Sequence, residues 1–213
     1  IIKSKDNRKI KYVRTLNSKK ISDEENAFIV EGIKFVNEAI RENAHIIYLI
    51  FSECAFDKPE IKELYNFSRE LGVEAIVCDD KVFNSIVDTI NSQGVLAVIK
   101  KKKDINTMDD YNFVILCDRI QDPGNLGTII RTADAFGPAS VILNKGCVDV
   151  YNSKVVRASA GAIFRVPFIY IDSEEEIIDS LKSKGYKIIS TVVDSEHSFE
   201  DIENSEKICV IIG

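Results

Sequence analysis

The 213-residue sequence has little of what marks a disulfide, metal, membrane or dinucleotide protein. Its five cysteines, Cys54, Cys78, Cys117, Cys147 and Cys209, include no pair at CxxC spacing, and an odd, scattered count fits neither a disulfide framework nor a zinc site. Three of them sit in apolar runs such as FVILC and KICVIIG, where a thiol serves as a small core residue. With only His45 and His197, no histidine-rich ligand set is available and no metal is expected. No run approaches the roughly 18 uncharged apolar residues of a membrane helix, and no signal peptide is visible. No membrane partner is therefore expected, and the expected location is cytoplasmic. No GxGxxG follows a β-like run and no GxxxxGK[ST] occurs, which leaves a nucleotide-binding oxidoreductase without support. What is present, 45 % apolar and 29 % charged residues, is ordinary for a globular chain and too apolar for a disordered one. The length allows one large or two small domains.

The formal net charge is -6, but its distribution says more than its total. Residues 1–20 carry eight Lys and Arg against Asp6 alone, whereas residues 172–213 carry four Lys against eleven Asp and Glu. A solvated helix face and a ragged terminus account for part of this. The asymmetry also points to an anionic partner at the basic end. Because the first residue is Ile rather than Met, a preceding segment is expected.

Short β-like runs alternate with helical stretches, the pattern of α/β architecture. In the first half, residues 6–16 read as a helix, 27–32 as a strand, 33–42 as a helix with Ile33, Val36, Ala39 and Ile40 on one face, and 46–51 as a strand. Pro59 opens a helix that Gly72 closes, followed by strands over 73–78 and 94–100 around a short helix near 80–87. The polar stretch 101–111 is read as a linker between a first domain, 1–100, and a second, 112–213. The second half restarts with FVILC (113–117), a turn and a helix over about 126–136 ended by Gly137-Pro138. Strands over 140–144, 187–193 and 207–213 and helices near 152–160 and 174–184 follow. Strands separated by helices imply parallel pairing with right-handed crossovers. The sequence ends on a strand that should be covered on both faces, so an incomplete version of a longer protein is expected.

The stretch Asp118–Gly137, DRIQDPGNLGTIIRTADAFG, carries the most information. Pro123-Gly124 is a turn signal, after which Asn125 is placed as an N-cap. Leu126, Ile129, Ile130, Ala133 and Phe136 form an apolar stripe, while Thr128 and Arg131 share the opposite side. On spacing alone this is a well-capped amphipathic helix with an exposed arginine.

The same stretch closely resembles the first signature motif of the SpoU (TrmH-type) RNA 2′-O-ribose methyltransferases of the SPOUT superfamily, whose core is an asparagine after a Pro-Gly turn and an arginine six residues later. Here these are Asn125 and Arg131. The block SKVVRASAGAIFRVPF (153–168) also resembles the family, and FIVEGIKFVNEA (28–39) and SQGVLAVI (92–99) resemble its ribosomal-protein-like substrate-recognition domain. The resemblance runs along nearly the whole chain in the correct order. It implies a C-terminal trefoil-knotted domain that binds S-adenosylmethionine and dimerises, with RNA as partner and ribosomal RNA favoured over transfer RNA. The family's second motif begins with a glycine matching Gly213, and the remainder of the knot region is expected to be missing.

The resemblance implies catalytic roles for Arg131, beside the target ribose, and Asn125, which would orient the motif loop or contact substrate. It implies cofactor contacts at Thr191 and Gly213. It also offers Arg131 as a general base, although a guanidinium with a pKa above about 12 is a poor proton acceptor and a better phosphate anchor. Arg119, Lys145, Lys154, Arg157 and Arg165 punctuate the second half; Lys154 and Arg157, three apart on a helix, are the candidates for RNA phosphate contacts. An RNA-binding module without catalysis is the competing reading, which methyl transfer separates. Arg8, Lys11 and Arg14, spaced to share a helix face, are assigned to RNA as well. Replacing all three by Gln is expected to flatten the dependence of log Kobs on log[salt] by about 2–3, and an unchanged slope removes the assignment.

Overall fold

The computed structural model describes residues 1–102, 111–137, 139–195, 198 and 206–213. Of the linker expected over 101–111, residues 103–110 lie outside the described residues, as does His197. Proximity of Cα atoms divides the chain into two compact units, Ile1–Lys102 with Tyr151–Arg157, and Lys103–Val150 with Ala158–Gly213.

The first unit contains α1 (Arg8–Thr15), α2 (Lys19–Glu24), β1 (Ala27–Glu31), α3 (Ile33–Arg41), β2 (Ile46–Ser52), α4 (Pro59–Glu70), β3 (Glu74–Cys78), α5 (Asp80–Phe83) and β4 (Val95–Lys100). Helix α1 is shorter than its expected span, and α2 follows it over a mostly polar stretch, KKISDE, that has no apolar period to announce it. The sheet order is β1-β4-β2-β3: β4 runs antiparallel to both neighbours, and only β2 and β3 pair in parallel. Ile10, Val13 and Leu16 of the α1 region and Val82, Phe83 and Ile86 pack on Ile50, Ile76, Leu96 and Val98 of the sheet. Helix starts are secured locally. Asn7 caps α1 through Lys9 N–H (2.9 Å), Asp79 caps α5 through Val82 N–H (2.8 Å), and Pro59 occupies the first turn of α4. Helix α3 begins after Gly32, whose φ of +103° suits only glycine, so its first free donor, Ile33 N–H, is taken by Gln93 Oε1 from across the unit (2.8 Å).

The second unit is built from β5 (Phe113–Cys117), α6 (Pro123–Ala135), β6 (Ala139–Asn144), the end of α7 (Ser153–Ala158), a 3-10 turn at Ala162–Phe164, β7 (Phe168–Ile171), α8 (Glu174–Ser183), β8 (Lys187–Ser190) and β9 (Ile208–Ile212). Its five strands are all parallel, in the order β7-β6-β5-β9-β8. β8 stops at Ser190, short of the strand expected to 193. The chain steps outward from β5 through β6 to β7, then crosses to the other side of β5. Right-handed crossovers in opposite directions put the connecting helices on opposite faces. Accordingly Leu181, Ile177 and Ile178 of α8 pack with Val114 and Leu116 of β5, Ile142 and Cys209, while α6 covers the other face. Ser173 caps α8 through Glu176 N–H (3.3 Å), and three glutamates in its first turn with Lys182 in its last complement the helix dipole.

Cys78, Cys117 and Cys209 are buried as the apolar runs suggested, whereas Cys54 is exposed. Burial pushes the thiols of Cys78 and Cys117 up to about 12 and that of Cys209 up to about 11. An aryl disulfide reagent is expected to label Cys54 in the native protein, slowed by the Asp80 carboxylate that raises its thiol, and the three buried thiols only on unfolding. Because unfolded thiols ionise near 8.5 while these stay protonated, stability should fall as pH rises from about 9 toward 12, less steeply in Cys117→Ala. Thermal denaturation across that window checks both the direction and its origin.

Candidate functional site

In an open parallel sheet the ligand crevice lies beyond the carboxyl ends of the strands where the order reverses. That point here falls between β5 and β9. The strand ends are tied by Asp118 N–H donating to Ile212 O (2.8 Å), which sets Asp118 beside Gly213. A Cβ on Gly213 would lie 3.3 Å from Asp118 O and 3.4 Å from its Cβ, so the missing side chain lets the two strand ends lie close together at this edge. On the next strand, Thr191 donates from both N–H and Oγ1 to Ile211 O (3.1 Å each). The two residues assigned to cofactor contact are therefore brought to neighbouring strand ends, both exposed.

A polar network that the sequence reading did not single out completes the edge. Asn144, last residue of β6, donates from Nδ2 to Asp118 Oδ1 (2.7 Å) and to Glu174 Oε1. Its Oδ1 accepts from Arg119 N–H (2.9 Å) and Gly146 N–H (3.2 Å). Arg119 forks onto Asp118, with Nε and Nη2 donating to Oδ1 and Oδ2 at 2.8 and 2.9 Å. The Arg119 bond, then that of Asn144, outweighs what burial costs and holds the Asp118 carboxyl below the usual range. In the sequence Asp118 and Arg119 lie 25 or more positions from Asn144, and Glu174 lies 30 beyond it, so no local spacing joins the three segments.

The signature helix leaves from the same edge. Asp122, not Asn125, is the N-cap of α6: its Oδ1 accepts from Asn125 N–H (2.8 Å), and Pro123 is the first helical residue. Proline has no N–H to lose at that position, which selects the residue before it as the cap. Asn125 thus sits in the first turn with its side chain exposed. Arg131 is also exposed, six residues on, which in a helix means about 9 Å along the axis and about 120° around it. The helix does not place Asn125 and Arg131 on one face. Among the described residues neither side chain has a hydrogen-bonding or ionic partner. Leu126, Ile130 and Ala133 are buried, but Phe136, expected to continue the stripe, is 81 % exposed.

The other basic residues divide. Lys145 pairs with Asp172 (2.8 Å) and Arg165 forks onto Asp134 (2.8–3.0 Å), so both tie strands and helices of the second unit together. Lys154 is exposed on α7. Arg157, half-buried, lines a small cavity of the first unit with Glu31 and Asp88. On α1, Arg8 is exposed, Lys11 pairs with Asp6 (2.8 Å) and Arg14 donates to Lys5 O (2.8 Å). Among the described residues no group of three His, Cys, Asp or Glu could hold a metal ion, and no helix is long and apolar enough to cross a membrane.

The parallel sheet with Gly213 at its switch point and the helix opened by Asp-Pro-Gly-Asn lie within a region whose family comparison identifies. Residues 112–213 match the SpoU rRNA methylase family and residues 7–97 the MRM3-like substrate binding domain. The chain is 30 % identical over 212 residues to 23S rRNA (guanosine(2553)-2′-O)-methyltransferase RlmP of Bacillus subtilis (strain 168), covering 100 % of this chain and 81 % of that protein. It is 34 % identical over 192 residues to the mitochondrial rRNA methyltransferase 3 of Xenopus laevis, covering 86 % of this chain but only 44 % of that one. An AdoMet-bound rRNA methyltransferase from Sinorhizobium meliloti superposes with a TM-score of 0.84 at 27 % identity, over 100 % of this chain and 80 % of that chain. This chain belongs to the SpoU rRNA methylase family.

The seating of α6 depends on Gly127. A Cβ there would overlap Ala158 Cβ and stand 3.0 Å from Ser159 N. Gly127→Ala is expected to lower stability by about 1–3 kcal/mol, read as a lower urea midpoint at unchanged m-value.

Proposed function

We propose that this chain transfers a methyl group from S-adenosylmethionine to a ribose 2′-hydroxyl of RNA, ribosomal RNA rather than transfer RNA. The observation that carries the reading is the launch of the Asp-Pro-Gly-Asn helix, with Arg131, from the strand edge that also holds Gly213 and Thr191, in a chain of this family. The bare edge at Gly213 fits a cofactor approaching the backbone closely. Thr191, with both its polar atoms turned to Ile211 O, keeps the neighbouring strand end in place beside it. When bound, S-adenosylmethionine supplies an electrophilic methyl on a sulfonium, so the protein's task is positioning.

Within that task Arg131 grips RNA phosphate through two parallel N–H donors and polarises the attacking hydroxyl. Its guanidinium stays protonated, so proton acceptance is not assigned to it. Asn125, in the first turn of α6, contacts substrate or orients the loop. Lys154 and Arg157 add phosphate contacts, and the α1 residues Arg8, Lys11 and Arg14 add others within a substrate-recognition domain spanning 1–100, with catalysis in 112–213. For Lys11 and Arg14 this means exchanging Asp6 and Lys5 O for phosphate. The reading extends to a knotted C-terminal domain, a homodimer formed through it and a cytoplasmic location.

The test is transfer of labelled methyl from S-adenosylmethionine to transcribed 23S rRNA. Success appears as resistance of one ribose linkage to alkaline cleavage, because the methylated 2′-oxygen can no longer attack its phosphate. No transfer by the unaltered chain overturns the enzyme reading in favour of an RNA-binding module. Arg131→Lys keeps the charge and loses the fork; turnover is expected to fall about 100-fold or more with cofactor affinity unchanged. Full turnover in that variant excludes the forked contact.

A further inference from the structure

Arg119 is the one non-glycine residue of the β5–α6 connection with a left-handed backbone, at φ +53°. For an arginine this conformation is unfavourable, and it persists only where surroundings impose it. Three features impose it. Asn144 Oδ1 accepts the Arg119 N–H at 2.9 Å. Gly146 is left bare beneath the side chain, since a Cβ there would overlap Arg119 Cγ and stand 3.0 Å from its Cβ. The guanidinium is then aimed by Asp118 through two charge-assisted bonds.

None of this is explained by stability. The pair joins adjacent residues, so it closes no loop and ties no element to another. The Arg119 side chain is 71 % exposed, where ion pairs add little. Asn144 also donates to the same carboxylate, so Asp118 keeps a partner when the guanidinium turns away. What the arrangement achieves is a forked cation held at the switch-point edge, between the strand end beside Gly213 and the first turn of α6. The fork matches phosphate as well as carboxylate, and Asp118 occupies it with the bidentate geometry a phosphate would take.

We propose that Arg119 is an RNA-phosphate-binding residue at the catalytic edge, preset by Asn144 and Gly146 and exchanging Asp118 for a backbone phosphate of the bound RNA. This rests on the RNA reading above and adds a positioning contact separate from Arg131. The exchange trades ionic and hydrogen bonds only, with Asp118 held on Asn144, and no covalent bond is made or broken.

The test compares wild type with Arg119→Gly and Arg119→Lys. Glycine adopts positive φ freely, so Arg119→Gly should keep or raise the melting temperature, which separates a lost contact from a damaged fold. With a fluorescein-labelled RNA hairpin, Arg119→Gly is expected to weaken binding about tenfold and to reduce the salt slope by about one, with affinity for S-adenosylmethionine unchanged. Arg119→Lys should keep the slope and recover part of the affinity. Wild-type affinity and slope in Arg119→Gly overturn the proposal while leaving methyl transfer by the unaltered chain as independent support for the enzyme reading. Failure of the unaltered chain to bind RNA at all overturns both.

Discussion

Everything at the candidate site depends on β5 lying directly against β9. That pairing carries Asp118 N–H to Ile212 O and so puts a carboxylate beside Gly213. It also makes β5 the strand at which the order reverses, with β6 and β7 to one side and β9 and β8 to the other. The strands of such a sheet point their carboxyl ends the same way, so the ends of β5, β6, β8 and β9 and the start of α6 and α8 share one rim. A parallel sheet buried on both faces gains its stability from apolar runs such as FVILC and SVILN, and none of that energy depends on the rim. The rim is free to carry polar groups that would be costly elsewhere.

Asn144 shows how that freedom is used. A neutral amide offers two donors and an acceptor, and at this position all of them are engaged with residues from three segments: Asp118 and Arg119, Gly146, and Glu174. Two carboxylates meeting at one point would repel one another in a dry interior. Here the amide donors and the Arg119 guanidinium keep Asp118 ionised at the edge of solvent. The same logic separates the arginines of the second unit. Arg165 forks onto Asp134 across 31 residues and joins the end of the 3-10 turn to α6, which is a structural task. The Arg119 guanidinium forks onto its own neighbour and bonds to no second element.

Much of the fold was legible because it is written locally. FVILC, SVILN and the helix from Pro59 to Gly72 announce themselves by apolar runs, a proline at the start and a glycine at φ +65° at the end. Elsewhere local signals compete. Asp122 and Asn125 are both good caps three residues apart, and the proline between them decides in favour of Asp122. Phe136 looks like part of the α6 stripe, but ten residues at about 100° each carry it about 80° off the line through Leu126, and it emerges into solvent. α2 was missed because a short polar helix has no period to read. The antiparallel placement of β4 between β1 and β2 is a long-range pairing with no local mark at all.

The candidate site divides along the same line. Asn125 and Arg131 lie within one helix, so a motif preserves their spacing; Thr191 and Gly213 sit at strand ends, where an apolar run terminates visibly. The Asn144 network escapes both kinds of signal, since its members come from separate segments and each looks ordinary by itself. Only one of its features has a sequence trace: a glycine, Gly146, two residues beyond a strand end. Read alone it is a turn residue. Placed against Arg119 it becomes the space that lets an arginine hold an unfavourable backbone, and an unfavourable backbone maintained by a glycine, an amide and a carboxylate is better explained by what it presents to a ligand than by anything it contributes to folding.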